Sequence, residues 1–335
     1  MPADGRSENG ITALSNGQSR ANGKAPSKVH STNSKNEEIE QKVGAYYDSQ
    51  DAAIFYGKLW GGESLHIGVY PGHSVGQLCD VETVRTASRT ADELLTHEAL
   101  ETLHKLHPVT SLQEKGKKIY RVADMGAGLG AFGRKLCHRS KSVSVDCFEL
   151  SSRQNEVNKE RNTAAGLEDR IRVFEKSYTD VGEVKEEDKY HLVVSQDAFL
   201  HCVEKEAIVS EIARITREGA FVVFTDIMQT VGVRLDEMEG IYSRLHLKEM
   251  GSAAQYIHLF GLHGFELLSF RSMPEHVGTH YASVRHLLAS EGPSLGVSDG
   301  FVGSVCDSLD MWTDAVRSGN ITWGRFVFRK KNLEE

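Results

Sequence analysis

The chain has 335 residues, 39% hydrophobic and 26% charged, which is the ordinary composition of a globular protein. Its formal net charge is −8 and it has no concentrated run of Lys and Arg, so neither nucleic acid nor an anionic membrane is expected as a partner. No apolar stretch reaches the roughly 18 residues that a membrane span requires. Five scattered cysteines without CxxC spacing argue against a disulfide framework and against a metal site, and free thiols predict a reducing, cytoplasmic location.

The first 38 residues are rich in Ser, Asn, Gly and Lys and contain no aromatic residue. Such a segment buries too little apolar surface to offset its ordering entropy, so we expect residues 1–38 to be a disordered tail. It lacks the apolar core of a secretory signal, and a transit peptide remains open. Apolar residues at helical spacing over 39–59 and 87–107 then predict two amphipathic helices. We expect these to form an N-terminal helical lid, residues 39–110.

From residue 111 onward, short β-branched runs alternate with helical ones, and we expect residues 111–335 to form the main domain. The strand candidates are 119–125, 143–150, 171–177, 191–197 and 220–227, and the helical stretches lie near 131–139, 152–166 and 203–217. This alternation predicts an α/β fold in which helices cover both faces of a parallel sheet.

Two further strand candidates come late in the chain, at 265–272 and 321–330. They are not joined by a simple crossover, which favours an antiparallel pair at the end of the sheet. Two insertions, near 228–255 and 273–320, are expected to cap the domain.

The stretch "VADMGAGLG" (122–130) is typical of a nucleotide-cofactor loop. Gly126, Gly128 and Ala131 also satisfy the dinucleotide pattern GxGxx[GA]. Glu149 ends the second predicted strand 19 residues after Gly130, where a carboxylate accepts hydrogen bonds from ribose hydroxyls. Because NAD and S-adenosylmethionine both carry such a ribose, these features leave the cofactor open.

Two acidic or polar features favour S-adenosylmethionine over NAD. Asp124 stands two residues before the first glycine, where it could meet a cationic amino acid end, whereas a pyrophosphate has little use for a carboxylate there. The fourth strand ends in Ser195, Gln196 and Asp197, at the sheet edge where ligands of α/β folds bind.

Taken together, "VADMGAGLG", "FEL" (148–150) and "VVSQDAFLH" (193–201) resemble the class I S-adenosylmethionine-dependent methyltransferases. That resemblance implies a Rossmann-like, seven-stranded, mostly parallel sheet of order 3-2-1-4-5-7-6 in which strand 7 is antiparallel.

A narrower resemblance covers about residues 40–330 and is to the sarcosine/dimethylglycine N-methyltransferases of glycine betaine synthesis. It rests on "YYDSQDAAIFYGKLWGGESLHIGVY" (46–70), "FTDIMQ" (224–229), "RLHLKEMGS" (244–252), "THYASVR" (279–285) and "WTDAVRSGNITWGRFVFRK" (312–330). The segment "MQTVGVRLDEMEG" (228–240) departs from that family. We therefore expect it to alter the acceptor pocket.

The resemblance implies methyl transfer from S-adenosyl-L-methionine to a small amine, most simply sarcosine or dimethylglycine. The candidate cofactor-binding residues are Tyr47, Trp60, Asp124, Gly126, Gly128, Glu149, Leu150, Ser177, Tyr178 and Gln196. The candidate substrate-binding residues are Tyr46, Arg244, His246, His280 and Tyr281. His201 could accept a proton, although an amine can lose its proton to solvent before it binds.

Three alternatives remain open from the sequence. The same fold could methylate another small substrate, such as a phosphoethanolamine-type amine or a sulfur osmolyte precursor. An NAD-binding oxidoreductase is disfavoured by Asp124 and by the late pair of strands. A non-catalytic scaffold is disfavoured by the intact glycine loop, by Glu149 and by the aromatic residues of the expected lid.

Overall fold

The structure is a computed structural model of the chain, and it describes residues 42, 44–106, 119–245 and 250–332. The predicted tail, residues 1–38, and the candidate residue His246 lie outside this part of the chain. Among the described helices, none combines the length and the apolarity needed to cross a bilayer.

One seven-stranded sheet organises the fold, with strand order β3-β2-β1-β4-β5-β7-β6. The strands are β1 (Tyr120–Met125), β2 (Val143–Glu149), β3 (Ile171–Glu175), β4 (Tyr190–Gln196), β5 (Thr216–Gln229), β6 (Phe265–Ser272) and β7 (Ile321–Lys330). Strands β1 to β5 pair in parallel, and β7 is antiparallel to both β5 and β6. The predicted fold class and strand order are therefore confirmed.

The α-helices of the described chain cover the sheet and its carboxyl edge. They are α1 (Gln50–Ile54), α2 (Val81–Leu106), α3 (Ala131–Arg139), α4 (Ser152–Ala164), α5 (Lys205–Ile215), α6 (Glu239–Leu245), α7 (Ala253–Leu262), α8 (Pro274–Glu291) and α9 (Asp299–Arg317). A π-helical turn, Phe55–Leu59, continues α1. Ser side chains cap the first turns of α1, α4, α7 and α9, which explains where these helices begin.

The second insertion, residues 273–320, is largely helical. The sequence of residues 273–320 reads as polar and helical, and the structure shows two long helices, α8 and α9, packed against each other. Each helix buries one face in a core shared with the segment around Trp60, through residues such as Val277, Tyr281, Leu309 and Trp312. Charged residues such as Arg285 and Asp310 lie on the outer faces, so each helix combines a polar composition with a buried stripe.

Candidate active site

The glycine loop follows β1 and leads into α3. Gly126, Gly128 and Gly130 have φ values of 73°, 53° and 74°, a left-handed conformation that favours glycine. A Cβ atom at Gly130 would lie 1.9 Å from Asn158 Oδ1, and one at Gly126 would lie 2.3 Å from the Cβ of Ala198. Both the backbone conformation and the close packing therefore require glycine.

Glu149, at the end of β2, holds this loop in place. Its Oε2 accepts the N–H of Gly128 at 3.1 Å, and its Oε1 accepts the N–H groups of Leu150 and Ser151 at 2.9 and 3.0 Å. Desolvation raises the pKa of the Glu149 carboxyl, and these three hydrogen bonds oppose that rise. The carboxylate thus stabilises the loop and still presents oxygen lone pairs to a ligand.

The loop borders a cavity that we call the glycine-loop cavity. Eight of the candidate cofactor-binding residues line it, namely Tyr47, Asp124, Gly126, Gly128, Glu149, Leu150, Tyr178 and Gln196. Ser177 and Trp60 are not among the residues of the described chain that line it. The Ser177 hydroxyl instead lies 2.7 Å from the hydroxyl of Thr179, in the turn that follows β3.

Asp124 gives this cavity its chemical character. It is 3% exposed, and its Oδ2 has no hydrogen-bond partner among the described residues. Burial raises the pKa of its carboxyl to about 7, with a further contribution from the nearby charges of Glu149 and Asp92. A buried, unpartnered carboxyl beside two other acids fits a ligand that brings a positive charge.

The wall opposite the glycine loop is built around the pair of His66 and Asp92. His66 Nε2 lies 2.7 Å from Asp92 Oδ1, and its Nδ1 lies 2.9 Å from the carbonyl oxygen of Ile67. Both neighbours are acceptors, so both ring nitrogens donate and the imidazole is protonated. Ser64 and Lys135 also bond to Asp92. The pair holds the segment after Trp60 against α2.

A second cavity, which we call the aromatic cavity, adjoins the first and has a volume of about 590 Å³. Its rings come from Tyr46, Tyr47, Phe55, Tyr56, Trp60, Tyr281, Phe301 and Trp312. This volume falls in the range of small-molecule sites. The candidate substrate-binding residues Tyr46 and Tyr281 lie in its wall, as does Trp60, which the sequence had assigned to the cofactor.

His280 lies behind Trp60 in the wall of the aromatic cavity and does not line the cavity itself. It is fully buried, its Nδ1 accepts from Tyr70 and from the N–H of Gly68, and its ring centroid lies 4.4 Å from that of Trp60. Desolvation lowers the pKa of His280 to about 3, so the ring is neutral. His280 thus supports Trp60 from behind, and its predicted role in substrate binding stays a prediction.

The two cavities share a wall formed by Tyr47, Leu65, His66, Asp197 and His201. Asp197 has φ 52° and is the described non-glycine residue with a left-handed backbone. Its carboxylate accepts the N–H of Ile67 at 2.8 Å and the indole N–H of Trp323 at 2.7 Å. It therefore joins the segment after Trp60 to the sheet at the boundary between the cavities.

His201 lies at this boundary too, with its ring centroid 6.2 Å from that of Tyr47. Desolvation, together with a smaller effect of the nearby Lys205 charge, lowers the pKa of His201 to about 4. The imidazole is thus neutral at physiological pH, and it is too weak a base to take a proton from an alkylammonium, whose pKa is about 10.

The remaining candidates and the first insertion contribute less to the described site. Arg244 lies in α6, and only its backbone is described. Of the residues 224–240, Ile227 alone lines the aromatic cavity in the described chain, while Met238 packs in the core. The expected change of the acceptor pocket by 228–240 thus has no support from the described contacts.

Sequence reasoning missed the wall that α9 contributes. The aromatic cavity is lined there by Ser298, Gly300, Phe301, Ser304, Val305, Ser308, Leu309 and Trp312. Their spacing of three and four residues is the signal of one helix face, which the sequence alone assigns to a core as readily as to a site. His66 and Asp92 are 26 residues apart in the chain, and nothing local pairs them.

Comparisons with known proteins agree with this geometry. Residues 122–219 match the model of the methyltransferase domain family. A sarcosine/dimethylglycine N-methyltransferase of Halorhodospira halochloris is 34% identical over 85% of this chain and 94% of its own. The enzyme of the same name from Aphanothece halophytica is 31% identical over 87% and 98%.

The crystal structure of a putative sarcosine dimethylglycine methyltransferase from Galdieria sulphuraria is 32% identical and covers 84% of this chain and 99% of its own, with a TM-score of 0.72. The chain belongs to the sarcosine/dimethylglycine N-methyltransferase family. It is therefore an S-adenosylmethionine-dependent methyltransferase, as the sequence predicts. For this methyltransferase, the glycine-loop cavity is the part of the molecule that fits the cofactor.

The residues present suit S-adenosylmethionine, which supplies an activated methyl group on a sulfonium. Asp124 would receive its cationic amino acid end, because the unpartnered Oδ2 atom is buried in the same cavity. Glu149 would accept from the ribose hydroxyls beside the glycine loop. The aromatic rings at the shared wall would lie nearest the acceptor.

Proposed function

We propose that this methyltransferase methylates the amine nitrogen of sarcosine, of dimethylglycine, or of both, toward glycine betaine. The single observation that carries this proposal is the shared wall, which places an aromatic cavity directly beside the cofactor cavity. The names of the relatives at 30–34% identity supply the acceptor class. We also propose a cytoplasmic location, supported by the five free, buried thiols.

Methyl transfer from a sulfonium is an in-line displacement, so orientation of the neutral amine supplies most of the rate. The positive charge is on the cofactor's sulfur before the transfer and on the product's nitrogen after it. Both positions would lie beside the shared wall. Aromatic faces such as those of Tyr47 and Trp60 attract a cation at either end of that path, and the Asp197 carboxylate contributes a fixed negative charge.

Among the described residues, His201 and Asp197 of the shared wall leave deprotonation of the amine to solvent. His201 is neutral and weakly basic, and both oxygens of Asp197 already accept hydrogen bonds. The enzyme then selects the neutral amine that solution supplies. We infer that residues 39–110 cover the acceptor as a lid, since Tyr46 of that segment stacks on Phe301 of α9 with ring centroids 6.1 Å apart.

The test is methyl transfer from labelled S-adenosylmethionine to glycine, sarcosine, dimethylglycine and phosphoethanolamine, each at saturating concentration. We expect label on sarcosine or dimethylglycine and little on phosphoethanolamine. Label on phosphoethanolamine alone would reject the proposed acceptor and favour another small amine on the same fold. Denatured enzyme serves as the control for uncatalysed transfer.

A further inference from the structure

Two hydroxyl groups stand out in the wall of the aromatic cavity. Ser308 of α9 is 4% exposed, and Tyr281 of α8 is 6% exposed. Both residues line the cavity, and neither hydroxyl bonds to another group of the described residues. Neither oxygen is among the fully buried, unpartnered side-chain atoms of the described chain, so each hydroxyl opens onto the cavity and can bond to a ligand or a water molecule there.

Neighbouring hydroxyls on the same helices are satisfied within the protein. Thr313 of α9 donates to the carbonyl of Leu309 at 2.7 Å, and Ser283 of α8 donates to the carbonyl of Thr279 at 2.7 Å. Such bonds back to the helix are the ordinary solution for a buried hydroxyl. The cavity-facing pair is therefore distinct from its neighbours.

The two residues belong to one continuous surface. Helices α8 and α9 are joined by an ion pair between Arg285 and Asp310, and the ring of Tyr281 lies 5.6 Å from that of Trp312. Ser308 precedes Trp312 by four residues, which places both on the same face of α9. The hydroxyls thus flank an indole ring inside the aromatic cavity.

Both hydroxyls can donate a hydrogen bond to an anionic oxygen, although the carboxylates of Asp197 and Asp226 also act on Tyr281. Burial raises the pKa of Tyr281 well above its ordinary value, so its hydroxyl remains a neutral donor at every working pH. A serine hydroxyl is a donor as well, and donors to a charged acceptor form the stronger class of hydrogen bond. The aromatic rings beside them suit the ammonium end of a zwitterion.

We propose that Ser308 and Tyr281 form the subsite that binds the carboxylate of the methyl acceptor, which makes them determinants of specificity for amino acids over simple amines. This inference rests on the proposed function, because it assumes an acceptor that carries both an amine and a carboxylate. It keeps Tyr281 from the substrate-binding residues that the sequence predicts, and it adds Ser308 in place of Arg244, His246 and His280.

The test compares dimethylglycine with N,N-dimethylglycinamide, in which the carboxylate is replaced by a neutral amide. We expect Ser308→Ala and Tyr281→Phe each to raise KM for dimethylglycine at least tenfold. The preference for dimethylglycine over the amide should fall by a similar factor, while the affinity for S-adenosylhomocysteine stays unchanged. Thr313→Val is the matched control, since it removes a satisfied hydroxyl from the same helix and should change neither quantity.

The outcomes separate the two proposals. If the wild-type enzyme methylates dimethylglycine and both variants retain its KM and its preference, the subsite is wrong and the proposed function stands. If the variants weaken cofactor-product binding as much as acceptor binding, their role is structural and the subsite is again overturned. If the wild-type enzyme methylates neither sarcosine nor dimethylglycine, both proposals fall.

Discussion

The imidazole of His66 and the carboxylate of Asp92 form a 2.7 Å hydrogen bond inside the wall of the glycine-loop cavity. Asp92 raises the pKa of His66 against the opposing effect of burial, and His66 and Lys135 hold the pKa of Asp92 below its usual range. Because both neighbours of the His66 ring are acceptors, we treat the two residues as a charged pair that stabilises the wall of the glycine-loop cavity.

His66→Gln should destabilise the protein by about 3 kcal/mol at pH 6, because it leaves a buried carboxylate without this partner. The folded-state pKa of His66 is raised, so its contribution is complete below the unfolded value of about 6.5 and is lost as pH rises through the folded value. The stability that His66→Gln loses should therefore be smaller at pH 9 than at pH 6. Urea unfolding of both proteins at the two pH values measures it, and an equal loss at both would contradict a charged pair. His73→Gln is the control, because His73 bonds to a carbonyl and not to an acid.

Asp124 predicts a pH dependence of cofactor binding. Its pKa of about 7 in the free protein means that near neutrality about half of the molecules must lose a proton before they meet a cationic ligand. Affinity for S-adenosylmethionine should rise by up to tenfold per unit below pH 7 and level off above it. Calorimetry in two buffers of different ionisation enthalpy should show proton release at pH 6.5 and almost none at pH 8.5.

Asp124→Asn should remove that pH dependence and weaken binding, and it should stabilise the free protein at pH 8. The sign follows from the raised pKa, because the stability that Asp124 contributes is complete below its unfolded value of about 3.9 and is lost as pH rises through 7. Asp226→Asn is the matched control. Asp226 is equally buried and its pKa is also raised to about 7, but it bonds to Tyr256 and lies outside the glycine-loop cavity. A pH dependence that survives in Asp124→Asn would reject the role of Asp124.

Much of this fold could be predicted from the sequence because the relevant signals are local. The buried parallel strands read as continuous apolar runs, and β1 and β2 begin and end within a residue of their predicted bounds. The glycine loop was evident for the same reason, since Gly126 and Gly130 must adopt φ values that few other residues tolerate.

The acceptor side could not be predicted in the same way, because it depends on contacts between distant segments. Trp60 packs against His280, which is 220 residues away in the sequence. This packing places Trp60 in the wall of the aromatic cavity. Ser308 carries no pattern that separates it from the satisfied Thr313 one turn later. Only the packing of α8 against α9 shows which hydroxyl lacks a partner.

Glu149 and Ser177 are both predicted from the sequence to bind the cofactor, but only Glu149 of the two lines the glycine-loop cavity. Glu149→Gln should weaken S-adenosylmethionine binding at least tenfold, because the amide has only one oxygen and its NH2 group must face one of the backbone N–H groups that now donate to the carboxylate. Ser177→Ala should leave the affinity within twofold, since its hydroxyl contacts Thr179 outside the cavity. Isothermal calorimetry decides both, and an equal loss in the two variants would show that the turn after β3 also contacts the cofactor.

Substituting alanine at Gly130 and at Gly166 compares two sources of lost stability. One is the strain of a left-handed backbone, and the other is a steric clash of the added Cβ. Both glycines have a left-handed φ, 74° and 64°, but a Cβ at Gly130 would meet Asn158 Oδ1 at 1.9 Å while one at Gly166 has no described atom within 4 Å. Gly166→Ala should therefore cost about 1 kcal/mol of stability and leave cofactor affinity unchanged. Gly130→Ala should cost more, because α3 and α4 must move apart, and it should also abolish tight cofactor binding at the loop. Unfolding and binding measured on both variants provide the comparison. If the two variants lose similar stability and both still bind the cofactor, α4 must move aside for the methyl group that Gly130→Ala adds. Gly130 would then be required for its backbone conformation alone.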